Sequence, residues 1–165
     1  MTDSDLVVDF LNTVDFDAGL QRAGEQTDVL DSDETWLSWL SEHELPKPAG
    51  ESASAVRRHR SKARTIRDDL RMVASGQDCE IRQFPLALTL DGHEPRLGGS
   101  DPLEEVMGAV ARLGIRGELE RVKICPADDC LWAFYDTSRN GSRQWCSMAV
   151  CGNRAKARAH RARQA

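Results

Sequence analysis

The sequence predicts an α+β protein: a mostly helical body over residues 1–118 that carries a small β-hairpin, then a compact module over residues 119–165. Three observations support this. Apolar residues recur at helical spacing in several stretches of the body. One strand-like run is followed by an Asp-Gly turn. After residue 120 the composition becomes basic and cysteine-rich and ends in a run of Ala and Arg.

The first helix is expected over Leu6–Val14, where apolar side chains fall at 7, 10, 11 and 14. Residues 15–29 hold no sustained period and contain Gly19 and Gly24, so they read mostly as loop. Asp31 or Ser32 can cap a second helix, with Glu34 or Thr35 in its first turn. That helix should bury Trp36, Leu37, Trp39 and Leu40, and Pro46 and Pro48 should close it. A long amphipathic helix follows over 52–75, its apolar line including Ala55, Ala63, Ile66, Leu70 and Val73, with Gly76 at its end. Phe84–Leu90 reads as a strand, Asp91-Gly92 as a turn, and Pro95–Leu97 as a weaker second strand. Asp101-Pro102 opens another helix, because Pro suits the first helical position. It carries Leu103, Val106, Val110 and Leu113 and should stop at Gly114. The body then hands over to the module around Gly117–Arg121. Cys79, isolated in sequence, reads as a buried structural thiol.

Hydrophobic residues make up 40 % of the chain and charged residues 30 %, enough apolar material for a packed core. No apolar run approaches the ~20 residues a bilayer requires. The acidic start, MTDSDLVVDF, is unlike a signal or transit peptide, so the expected location is the cytoplasm with no membrane partner. The net charge of −5 conceals a split. Residues 1–120 hold 13 Lys+Arg against 24 Asp+Glu, and residues 121–165 hold 9 against 3. An acidic body with a basic end points that end toward a polyanion.

Cys125, Cys130, Cys146 and Cys151 form a C-x4-C pair, a gap of fifteen residues, and a second C-x4-C pair. In a reducing compartment such a cluster is better suited to metal than to disulfides. Four soft thiolates in paired turns suit one tetrahedral structural Zn²⁺ per chain. The intervening chain is expected to fold back as a hairpin, Leu131–Tyr135 against Arg143–Trp145, with Asn140-Gly141 as its turn. That hairpin would join Cys130 to Cys146. Trp132, Phe134 and Trp145 are expected to form the module's small core. Four thiolates and one zinc ion sum to −2, which lowers the module's charge to about +4 without changing its sign.

Residues 153–164 (NRAKARAHRARQ) read as a helix. Ala155, Ala159 and Ala162 form one stripe. Arg154, Arg158 and Arg161 flank it on one side, and Lys156, His160 and Arg163 on the other. Arginine forks bind phosphate bidentately. The candidate nucleic-acid contacts are therefore Arg154, Lys156, Arg158, Arg161 and Arg163, with Lys123, Arg139 and Arg143 adding charge, and with Asn153 or Arg154 reaching a base edge. Knuckle, hairpin and basic helix together make a treble-clef-like zinc finger.

At this point a resemblance becomes specific. Residues 125–163, and above all the run DTSRNGSRQWCSMAVCGNR at 136–154, resemble the CGNR zinc-finger family, named for the residues seen here as Cys151-Gly152-Asn153-Arg154. Val8-Asp9-Phe10-Leu11-Asn12-Thr13 and the helix over Trp36–Leu45 resemble the ABATE domain, which precedes this finger in bacterial proteins described as stress-induced transcription regulators. The resemblance implies a zinc-binding C-terminal module that binds DNA.

The function expected is that of a zinc-dependent DNA-binding protein, a bacterial transcription regulator in the stress response, with the body as sensor or oligomerisation domain. The alternative is an RNA- or protein-binding zinc module without a promoter role. A homodimer and a small-molecule ligand of the body are left open. Catalysis is not expected. No histidine lies between Cys125 and Cys151, and Asp128, Asp129 and Asp136 lack ligand companions for a catalytic metal. His93-Glu94 and Asp68-Asp69 read as a turn and a solvated helix face, and no phosphate-binding Gly loop occurs.

Overall fold

The computed structural model describes residues 1–15, 27–50, 52–80 and 82–164. Most of the loop expected over 15–29, including Gly19 and Gly24, lies outside the described residues.

Helix α1 (Asp3–Leu11) starts at Thr2, whose hydroxyl accepts from the Asp5 N–H while the Asp5 carboxylate takes the Thr2 N–H. Its apolar stripe buries Leu6, Val7, Phe10 and Leu11. After a 3-10 turn at Val29–Asp31 comes α2 (Asp33–Glu42), capped by Ser32 through the Thr35 N–H. It buries Trp36, Trp39 and Leu40, whereas Leu37 lies half-buried at the core's edge. The helix stops before the prolines: Glu44 takes φ +55° and Leu45 N–H returns to Leu40 O, an αL stop in place of the expected Pro46 stop.

Helix α3 (Ala53–Ala74) buries Ala63 and Ile66 of the expected apolar line, together with Val56, whereas Ala55 and Leu70 are half-buried and Val73 is exposed. It also carries a ladder of arginines that the amphipathic reading did not foresee. Arg60 donates to Asp33 and to Leu30 O, and Arg64 to Leu30 O and Asp31. Arg67, 3 % exposed, donates to Asp28 at 2.7 Å and to Thr13. The ladder thus pins the 28–31 turn and the end of α1 to α3.

Strands β1 (Ala87–Asp91) and β2 (Glu94–Gly98) pair antiparallel, with Asp91 opposite Glu94 across Gly92-His93. The first strand begins three residues later than expected, because Phe84 turns to pack on the core instead. Gly108 of helix α4 (Pro102–Ile115) lets β2 approach, since a Cβ there would meet Leu97 O at 2.6 Å. Asp101 caps α4 with a capping box to Glu104. The helix passes through Gly114, which sits open in an ordinary helical conformation, and ends at Arg116 and Gly117, the latter at φ +68°.

The core gathers α1, α2, α3 and α4. Trp36 stacks on Trp39 at 5.3 Å between ring centroids. Trp36 Nε1–H donates to His59 Nδ1, and His59 Nε2 faces Asp101 at 3.2 Å, so the neutral ring carries its proton on Nε2. Burial raises the Asp101 carboxyl's pKa, but the His59 and Leu103 N–H contacts outweigh this and hold it below the usual range. Val122 of β3 (Val122–Ile124) and Ala133 of β4 (Ala133–Tyr135) belong to this same core.

Cys79 is exposed, which corrects the expectation of a buried thiol: it follows the end of α3 in chain with neither helix nor strand.

Candidate metal centre and basic helix

A knuckle, a loop and a π-helical turn bring the cysteines together. Strands β3 and β4 pair antiparallel, Lys123 opposite Phe134, and the knuckle between them carries Cys125 and Cys130. Leu131 takes φ +53° to close it, and Cys125 N–H donates to Trp132 O. The hairpin expected between 131–135 and 143–145 is therefore corrected. Of residues 131–135 only Ala133–Tyr135 form a strand, its partner is Val122–Ile124, and Arg143–Trp145 form no strand.

The reason is Asp136. It has no accessible surface and sits where β4 ends. Its carboxylate accepts from Lys123 Nζ at 2.7 Å, from Ser138 N–H at 2.9 Å and from Arg143 N–H at 2.8 Å. Burial raises its pKa, but these donors hold the group well below the usual carboxylate range. The Arg143 backbone thus spends its N–H on a carboxylate instead of a strand partner. Lys123 also donates to Gly141 O and Arg143 O, and Arg143 donates to Trp145 O and Cys146 O. Gly141 takes φ +60°, so the turn foreseen at Asn140-Gly141 forms, within this side-chain-organised loop. Cys130 and Cys146 still meet, their sulfurs 3.5 Å apart.

A π-helical turn (Met148–Gly152) then sets Cys151 Sγ 3.7 Å from Cys146 Sγ. All four sulfurs lie within 4.8 Å of one another. A tetrahedral site with ~2.3 Å Zn–S bonds has S···S edges of about 3.8 Å, so the donor set fits one zinc ion. Cys125 and Cys151 are buried, and Cys130 and Cys146 half-buried. Burial beside the other thiols pushes Cys130 up to about 11, so metal entry must displace protons. Phe134, Trp145 and Ala127 pack around the cluster, as expected of its core. Trp132 does not join them. It is 41 % exposed, because the αL residue before it turns the ring outward.

Helix α5 (Asn153–Ala162) buries none of its residues. The candidate contacts divide there. Lys156, Arg161 and Arg163 are exposed and make no ion pair among the described residues, and neither does exposed Arg139 on the 136–143 loop. Arg154 and Arg158 both reach Asp129 of the knuckle at 3.2 Å, and Arg154 also donates to Cys151 Sγ at 3.3 Å. Asn153 Nδ2 donates to Ala149 O. Lys123 and Arg143 are occupied inside the module. Gly152 is buried beside Met148 and Trp145, and a Cβ there would press to 3.2 Å from the Trp145 ring. The Gly, Asn and Arg of the CGNR run therefore complete the turn and the thiolate cluster.

Sequence reasoning missed two residues that join body and module. Asn12 Nδ2 donates to Ala133 O at 3.0 Å, and Ala133 N–H donates back to Asn12 Oδ1 at 2.8 Å. The side-chain amide thus continues the pairing of β4. Arg71, the last rung of the ladder, donates to Leu11 O and to Leu131 O, one residue from Cys130. Burial, followed by the charge of Arg67, lowers its pKa to about 10. Helical spacing gave the one available signal, since 60, 64, 67 and 71 share a face of α3.

The family models match in two adjacent blocks. Residues 4–121 match the ABATE model, whose description is "Putative stress-induced transcription regulator". The chain belongs to the ABATE family. Residues 121–164 of this ABATE protein match the CGNR zinc finger, and its four cysteines are placed to hold one zinc ion. No curated protein matches the chain. Among the described residues, no helix is long and apolar enough to cross a membrane.

Proposed function

We propose that this protein is a DNA-binding transcription regulator that acts by binding and not by catalysis, and that α5 is its phosphate-gripping element. The observation that carries this reading is the state of α5. Beyond its half-buried first turn it is solvated, it is anchored at one end to the four-cysteine cluster, and it presents Lys156, Arg161 and Arg163 without ion-pair partners among the described residues, with Arg139 on the same module. A solvated cationic helix on a rigid base positions charge for a polyanion at small entropic cost. The family description of a transcription regulator agrees with it.

Four free cations touching phosphate give a log–log salt slope of about −3.6, so affinity falls roughly 150-fold between 50 and 200 mM salt. Replacing Arg161 and Arg163 by Ala should flatten the slope by about two units and leave folding intact, because Ala is at least as good a helix former. The deciding experiment is selection from random DNA and RNA pools with the zinc-loaded full-length chain. An enriched DNA motif supports the proposal, and salt-independent binding refutes it. A second reading, single-stranded RNA, draws on exposed Trp132, an aromatic face on which bases can stack. Enrichment from the RNA pool alone would favour it.

A further inference from the structure

A cavity of about 760 Å³ opens where the body meets the zinc module. Its walls come from both sides: Leu11 of α1, Leu70 and Val73 of α3, and Val122 and Ile124 of β3. The volume lies within the ~300–1,000 Å³ of small-molecule sites. Val73 was expected to pack in the core, yet it stands 44 % exposed because the cavity takes the place of a neighbour.

The polar lining defines the ligand's charge. Lys123 already spends its three N–H donors on Asp136, Gly141 O and Arg143 O. Arg143 is turned to Trp145 O and Cys146 O. Exposed Glu120 also lines the cavity at its rim, and its carboxylate has no hydrogen bond or ion pair among the described residues. Lys123 is ion-paired to Asp136 and Arg143 is held by backbone carbonyls, so Glu120 supplies a hydrogen-bond acceptor without a partner among the described residues, beside walls that reward apolar contact. We propose that this cavity binds a neutral, mainly apolar small molecule that donates a hydrogen bond to Glu120. An occupant would rest against Leu11, whose carbonyl accepts from Arg71, and against Pro126, the neighbour of Cys125. It would therefore touch the joint between body and zinc cluster. The inference does not rest on the nucleic-acid reading, and its test contains no nucleic acid.

The probe is N-phenyl-1-naphthylamine, neutral and apolar with one N–H. Its comparison is 8-anilino-1-naphthalenesulfonate, the same ring system with an anionic group. Both are titrated by fluorescence into the zinc-loaded full-length chain. The expected result is saturable binding of the neutral probe, with a Kd on the order of 10–100 μM, and at least tenfold weaker binding of the sulfonate. Val73→Trp should fill the cavity and weaken the neutral probe at least tenfold. Glu120→Gln should weaken it several-fold and narrow the gap to the sulfonate. Circular dichroism and zinc content identify variants that fold, so failure to fold is not mistaken for loss of the site. Absence of saturable binding, equal binding of the sulfonate, or undiminished binding by a folded Val73→Trp overturns the proposal. So does a chain that sediments as a dimer, becomes monomeric in Val73→Trp and binds no probe, since a second copy would then occupy the face.

Discussion

Asp129 restrains the basic helix, and removing its charge should strengthen binding to nucleic acid. Its two carboxylate oxygens hold Arg154 and Arg158 at 3.2 Å each. Any phosphate must compete with it for those arginines. Asp129→Asn keeps the side chain's size and removes the charge. Arg158 is then released, because Asp129 is the one ion-pair partner it has among the described residues. Arg154 is not fully released, because it still donates to Cys151 Sγ, a thiolate once zinc is bound. The number of available phosphate contacts therefore rises from four to about five. One added contact makes the salt slope about 0.9 steeper, from roughly −3.6 to roughly −4.5. At 0.1 M salt, the same term raises affinity by about eightfold. An exposed ion pair of this kind contributes only about 0.2–1 kcal/mol, so folding should change little. Fluorescence anisotropy of a labelled 20-base-pair duplex, titrated at several salt concentrations, reads both quantities. An unchanged slope shows that Arg158 does not reach phosphate. Weaker binding with zinc retained shows that Asp129 orients the helix productively, which is the opposite of a restraint.

Other expectations follow from the joint and the zinc cluster. Asn12→Ala leaves both backbone groups of Ala133 without their partners, a loss of about 1–3 kcal/mol, or roughly 2–12 °C in Tm for a chain of this size; scanning fluorimetry should show this with zinc content unchanged. Because Val122 and Ala133 share the body's core, chelating zinc or Cys130→Ser should loosen the body as well as residues 121–165; near-ultraviolet circular dichroism from stacked Trp36 and Trp39 should fall along with zinc loss, and an unaltered tryptophan signal would show that the two parts are independent. Asp136→Asn should lower the Tm of the zinc-loaded chain equally at pH 6.5 and pH 8. The folded Asp136 carboxyl titrates below its unfolded value, so the stability it confers is complete above about pH 4 and fades only as pH falls further. A difference between the two pH values would assign the effect to another group.

The local chemistry of the chain was enough to define several parts. Ser32, Asp101 and Pro102 announce helix starts because a cap is a contact between residues two or three apart. The stripes of α1, α3 and α4 follow from one period. The cysteine spacing picked out the four thiols that the fold brings within 4.8 Å of one another, because a tetrahedral thiolate site limits how chain can connect its corners. Tertiary structure decided what depended on partners distant in sequence. Arg143–Trp145 carries strand-forming residues, but a buried carboxylate at Asp136 claims its N–H, so β4 pairs backward with Val122–Ile124. The amphipathic period of α3 says nothing of its arginines, and only the fold supplies Asp28, Leu30 O and Leu131 O as their acceptors. Composition counted Arg154, Arg158, Lys123 and Arg143 as available charge. Whether a cation is available depends on which anions and carbonyls lie within about 3 Å of it, and for these four the folded chain had already filled those positions.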